Sequence, residues 1–204
     1  MSEEESDEQL YARWMAGDEA AGTALTRRRL PGIRQLLNSL LSRAEAQDAL
    51  QEVFERLAKR AKAGKEIELV KTFLAGMARN VVREQLRKRH KQGVNLEYSL
   101  EDISPGQSLE IQRQEDNHLL LKALHRMPVD DQILLCLRYW ERMRTKQLAV
   151  ALELNHSTAR SRLQRAETRL RKLLEELADS PEALKSTIGS LTGWAREHGQ
   201  AGRD

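Results

Sequence analysis

The chain has one cysteine in 204 residues, Cys136, set in the apolar run Ile133-Leu134-Leu135-Cys136-Leu137. One thiol can close neither an internal disulfide nor a zinc cluster, so Cys136 reads as a core residue of a protein kept in a reducing cytoplasm. Long apolar runs are missing too. None approaches the roughly 18 residues of a membrane span, and the N-terminus is acidic where a signal peptide would not be. No segment alternates as a strand does, and no nucleophile–base pair, phosphate-binding glycine loop or metal-ligand cluster is visible. These absences leave an all-α soluble protein, expected to be no enzyme, to need no metal or cofactor and to insert in no membrane.

Charge is present in quantity but unevenly. There are 34 basic and 31 acidic residues, for a net charge of +3 and a pI of about 9.1. Glu3, Glu4, Glu5, Asp7 and Glu8 crowd the start, and residues 97–116 carry six acids against one arginine. By contrast Arg79, Arg83, Arg87, Lys88, Arg89 and Lys91 face only Glu84 in their stretch. Basic clusters separated by an acidic connector suggest two anionic contacts and a polar tether.

Helical period runs through most of the rest. Ser6 or Asp7 can cap a first helix that ends at Gly17, and a second follows Asp18, with Pro31 placed to bend or interrupt it. Helices are predicted over 44–62 and 70–90, with a loop at Ala63-Gly64-Lys65-Glu66. Residues 92–115, with Gly93, Pro105 and Gly106, read as a flexible acidic linker. A second helical unit starts near Asp116, and Pro128 opens one of its helices.

Thr145 to Leu177 reads as a helix-turn-helix: a short helix carrying Thr145 and Lys146, a break at Glu153-Leu154-Asn155, then a long helix. In the long helix Ala159, Leu163, Ala166, Leu170, Leu173 and Leu177 make one stripe of helical period. Six cations lie off it, and His156, Ser157, Arg160, Ser161, Gln164 and Arg165 offer small polar and basic groups to a major groove. Periodicity alone accounts equally for a solvated helix in an ordinary bundle.

A second constellation is Asp48 to Glu55. Ala46, Leu50, Val53, Phe54 and Leu57 are expected on one face of a helix, with Asp48, Gln51, Glu52 and Glu55 on the other. That is either a plain amphipathic helix or an acidic face presented to a basic partner. Beyond it, Arg79, Arg83 and Arg87 recur every four residues and suit a phosphate backbone.

Taken in order, these motifs resemble the extracytoplasmic-function group of sigma-70-type RNA polymerase sigma factors over about residues 7–177. Asp48-Ala49-Leu50-Gln51-Glu52-Val53-Phe54 looks like the family's polymerase-binding region, which implies docking through Asp48, Gln51, Glu52, Phe54 and Glu55. Phe73 to Lys91 looks like the segment that reads and melts the −10 element, implying roles for Phe73, Arg79, Asn80, Arg83, Arg87 and Lys88. Ser157 to Ala166 looks like the −35 recognition helix, implying roles for Thr145, Lys146, His156, Ser157, Arg160, Ser161, Gln164 and Arg165. The resemblance implies two helical domains, 1–91 and 116–178, joined by the linker 92–115. It implies core RNA polymerase and promoter DNA as partners, and it admits an anti-sigma factor. A helix-turn-helix regulator acting without polymerase, and a sigma-like protein that titrates an anti-sigma factor, are the alternatives.

Three positions depart from the family pattern. Glu153 stands where the helix-turn-helix bend usually has glycine, and must accept whatever backbone the turn demands. Phe73 stands where the melting segment usually begins with tryptophan. Residues 179–204 form an extension in which Leu184, Ile188, Leu191 and Trp194 recur at helical spacing. Gly189 and Gly193 each weaken such a helix by about 1 kcal/mol, so it needs a surface to pack on.

Overall fold

Capping residues and apolar stripes place the helix boundaries. The computed structural model describes residues 5–91, 114–178, 180–181 and 184–185, with the backbone alone at 89–91 and 114–118. Among these residues there are eight α-helices and no strand. The chain divides into two units, Met1–Tyr98 and Ser99–Asp204.

The first unit holds α1 (Asp7–Met15), α2 (Glu19–Asn38), α3 (Arg43–Lys62) and α4 (Val70–Lys91). Ser6 caps α1 through a reciprocal pair: its Oγ accepts from the Gln9 amide at 3.2 Å, while Gln9 Oε1 accepts from the Ser6 amide at 2.7 Å. Asp18 Oδ1 accepts from the amides of Ala20 and Ala21 and opens α2. The start of α4 is capped from a distance, because the Val70 amide donates to Glu8 Oε1 of α1 at 3.2 Å.

Of the two outcomes expected at Pro31, a bend or an interruption, the interruption does not occur, and α2 runs on to Asn38. Proline removes one amide from the helix ladder. Leu25 before it, and Ile33, Leu36 and Leu37 after it, are buried and hold both halves of the helix against the same core. That core also takes Leu10, Tyr11, Val53, Leu57, Leu74, Val81 and Val82. Each such side chain contributes about 1.5–3 kcal/mol by leaving water. The approach of α1 to α2 depends on Gly22, where a Cβ would lie 2.5 Å from the Trp14 ring. Asp7, itself buried, ties the two helices through Arg28 at 3.2 Å and through Arg29.

The second unit holds α5 (Gln114–His125), α6 (Val129–Tyr139), α7 (Thr145–Ala151) and α8 (His156–Leu177). Pro128 is the residue before α6 rather than its first turn. α8 packs on α5, α6 and α7 over a core of Leu124, Ile133, Leu134, Leu137, Met143 and Leu148, with Cys136 also buried. The buried stripe of α8 is Ala159, Leu163, Ala166, Leu170 and Leu174. It therefore differs from expectation at its end. A strict three-four alternation drifts off a helix of 3.6 residues per turn, so the stripe passes to Leu174 and leaves Leu173 and Leu177 half-buried.

Candidate docking and nucleic-acid surfaces

On α3 the buried residues are Ala46, Ala49, Val53, Leu57 and Ala61. Leu50 and Phe54, expected on that stripe, are instead half-buried at its margin. This is a correction to the expected face. One turn of α3 spans 3.6 residues, and the small Ala49 sits in the tight contact while the two larger side chains flank it. Asp48, Gln51 and Glu55 are exposed, and Gln51 Nε2 donates to Glu55 Oε1 at 2.7 Å. Glu52 is not free as the sequence pattern implied. It pairs with Arg56 at 2.5 Å, and the same guanidinium reaches Glu84 of α4 at 2.7 Å. Hydrogen bonding to Arg56 holds the Glu84 carboxyl below the usual carboxylate range.

Along α4 the arginines expected in one row divide by depth. Arg79 is only 9% exposed, Arg83 is half-buried, and Arg87, Lys88 and Asn80 are exposed. Arg79 thus does not share the outer face assigned to it. It follows Leu74, Ala75 and Ala78 into the bundle. The outer cations belong to the last turns of α4, where cations also suit the negative end of the helix. Phe73 is half-buried at the start of α4, with the Arg60 guanidinium stacked 4.7 Å from its ring centre. Arg60 also donates to the Glu66 carbonyl at 3.0 Å, tying α3 to the 63–69 loop.

In the second unit the α7–α8 turn places the polar end of α8 outward. Glu153 takes a left-handed backbone, φ 56°, where the family pattern has glycine. Asn155 Oδ1 accepts from the Thr158 amide at 2.7 Å and from the Ser157 hydroxyl at 2.8 Å, which starts the helix at His156. His156, Ser157, Arg160, Ser161, Gln164 and Arg165 are all exposed, opposite the buried stripe. On α7 Lys146 is exposed and Thr145 half-buried.

Two other α8 cations are committed elsewhere. Arg162 lies 3.4 Å from both Asp130 and Asp131 of α6, and Arg169 pairs with Asp131. Tyr139 of α6 donates to Glu167 Oε1 at 2.8 Å. Burial, then the nearby Glu167 charge, push the Tyr139 phenol well up. None of these cross-helix ties was visible in the sequence; only the Glu52–Arg56 spacing of four hinted at a pair.

Of the extension, Leu184 is half-buried and its amide donates to the Ser180 carbonyl at 3.2 Å. Ile188, Leu191 and Trp194 lie outside the described residues, as does nearly all of the predicted linker.

The family descriptions Sigma-70 region 2 and Sigma-70, region 4 match residues 25–92 and 117–170, in that order. The RNA polymerase sigma-E factor of Streptomyces avermitilis is 33% identical over 131 residues, 64% of this chain and 72% of that protein. The Streptomyces antibioticus sigma-E factor is 32% identical over 131 residues, covering 71% of its length. The chain belongs to the extracytoplasmic-function group of the sigma-70 family. It is an RNA polymerase sigma factor, an initiation factor that works with core polymerase on promoter DNA.

Two solved structures share the sigma fold with a TM-score of 0.63. One is CnrH in complex with the cytosolic domain of CnrY, at 16% identity over 86% of this chain and 100% of that one. The other is the sigma factor RpoE of Bartonella quintana with the anti-sigma factor NepR, at 24% identity over 78% of this chain and 98% of that one. In this sigma factor α3 and α4 fall within the region 2 match, and α6, α7 and most of α8 within the region 4 match. Among the described residues no helix is long and apolar enough to cross a membrane.

Proposed function

We propose that the two units divide the work of the sigma factor between them. Asp48, Gln51 and Glu55, with the half-buried Glu52 and Phe54, dock α3 on a basic surface of core polymerase. Asn80, Arg83, Arg87 and Lys88 on α4, with Phe73 at its start, engage the −10 region. His156, Ser157, Arg160, Ser161 and Gln164 on α8 read the −35 element, and Arg165 on α8 with Thr145 and Lys146 on α7 holds its backbone. Arg79 is withdrawn from the −10 set because it is buried.

The observation that carries this reading is the exposed face of α8. Small polar groups and two cations lie together on the side opposite the buried stripe, on a helix whose first turn is left open by a tight bend. The major groove admits such a helix, with its N-terminal residues at base edges. The domain limits proposed are 1–91 and 116–178, with 92–115 as linker and 179–204 as extension. The role is that of a cytoplasmic initiation factor with no catalysis of its own. The complex of RpoE with the anti-sigma factor NepR supports an anti-sigma factor as a further partner.

Arg160→Ala tests base reading. It should weaken promoter binding by about 1–3 kcal/mol and relax preference at one −35 position. Equal loss on every duplex sequence would remove Arg160 from the base-reading set.

A further inference from the structure

α8 carries six cations, Arg160, Arg162, Arg165, Arg169, Arg171 and Lys172. Arg162 and Arg169 are seven residues apart, two turns, and so share one flank of the helix. The first turn of α6 lies against that flank. Asp131, whose side chain is 10% exposed, faces Arg162 at 3.4 Å and pairs with Arg169, and Asp130 faces Arg162 at 3.4 Å. Arg169 is nevertheless 49% exposed, long enough and open enough to swing to a neighbouring phosphate if nothing held it. Around the pair, Tyr139 and Glu167 occupy each other, so they do not compete for these guanidiniums.

Phosphate contacts carry no sequence information, while base contacts distinguish one sequence from another and fix the helix in one register. On random DNA no base contact fixes the roll of α8, so two more mobile arginines would gain phosphates there that the promoter register does not offer, and the helix would discriminate less. We propose that Asp131 is a specificity-determining residue of this sigma factor: it holds Arg162 and Arg169 on the protein and so keeps them off the DNA backbone. This rests on the reading that α8 lies on DNA. Asp131 touches no base itself; it acts through the two arginines. Its negative charge also disfavours phosphates along that flank and helps set the roll of α8 in the groove.

The experiment measures binding of the full chain, alone and with core polymerase, to a promoter duplex and a random duplex across a salt series. Arg165→Gln should lower the slope of log affinity against log salt by about one unit, the value of one lost phosphate contact. Arg169→Gln should leave the slope and the random-duplex affinity unchanged. Asp131→Asn should steepen the slope by about one to two units and reduce the promoter-to-random ratio at least several-fold.

If Asp131→Asn does not fold, Arg169→Gln still decides, because its side chain is half exposed. A loss of about one slope unit in Arg169→Gln would show that Arg169 already contacts phosphate, and would overturn the proposal. If Arg165→Gln is also without effect, α8 is not the DNA helix, and the proposal falls with that reading. Unchanged slopes in Arg169→Gln beside a reduced slope in Arg165→Gln support it.

Discussion

Glu153 shows how one residue can carry the bend of a helix-turn-helix at a cost. Its φ of 56° is a region where an L side chain crowds the backbone by about 1–2 kcal/mol relative to glycine. Glycine would return part of that through the greater freedom of its unfolded chain. Glu153→Gly is therefore expected to stabilise the second unit by up to about 1 kcal/mol, and Glu153→Ala, which keeps the crowding, is not. Thermal unfolding of both variants checks this; equal stabilisation by alanine would mean that the side chain, and not the backbone, is responsible.

Tyr139 gives a test in pH. Its phenol donates to Glu167, and burial raises it above its ordinary value of 10.0. The folded unit thus favours the neutral form. Its contribution is complete below about pH 10 and is lost as pH rises through the raised folded-state value. Tyr139→Phe should cost about 1 kcal/mol at neutral pH for the lost hydrogen bond, and should flatten the fall in stability above about pH 10. Parallel alkaline profiles for the two proteins would contradict the assignment.

At the scale of the helix, local signals were sufficient to place most ends. The helix predicted over 44–62 is Arg43–Lys62, and Asn155 closes the turn where the break was expected. Depth was harder to read. The four-residue spacing of Arg79, Arg83 and Arg87 is real, but α4 enters the bundle at one end, so the same row passes from buried to exposed. Likewise Glu52 looked equivalent to Asp48 and Glu55 until α4 brought Glu84 to Arg56. A tie between helices far apart in sequence leaves no local periodicity to detect.

These differences in setting decide which α3 variant is informative. Asp48→Lys should leave α3 folded, since Asp48 is exposed, and should weaken capture of core polymerase by at least several-fold. Glu52→Lys would in addition place a lysine beside Arg56 and disturb the bridge to α4, so it tests folding and docking together. Retained core binding by folded Asp48→Lys would assign docking to another surface.

At the scale of the whole molecule, residues 92–113 lie between α4 and α5 in the chain, and each of the two helical units has its own core. In the extension beyond α8 the sequence spaces Leu184, Ile188, Leu191 and Trp194 at helical intervals. We propose that these residues pack on the chain's own helices, which can shift activity only as far as their affinity differs between free and polymerase-bound forms. Deleting residues 181–204 should therefore lower promoter-specific transcription, and Trp194→Ala should reproduce most of that loss. Transcript levels equal to the full chain would make the extension passive.

The most direct test of the account is run-off transcription on a promoter library with core polymerase and the full chain. We predict transcripts from a restricted set of promoters sharing −10 and −35 sequences, absent without the protein, and lost in folded Asp48→Lys through failed polymerase binding. Promoter binding by the chain with no promoter-dependent transcripts from core polymerase would contradict it, and would leave a helix-turn-helix protein that acts without polymerase.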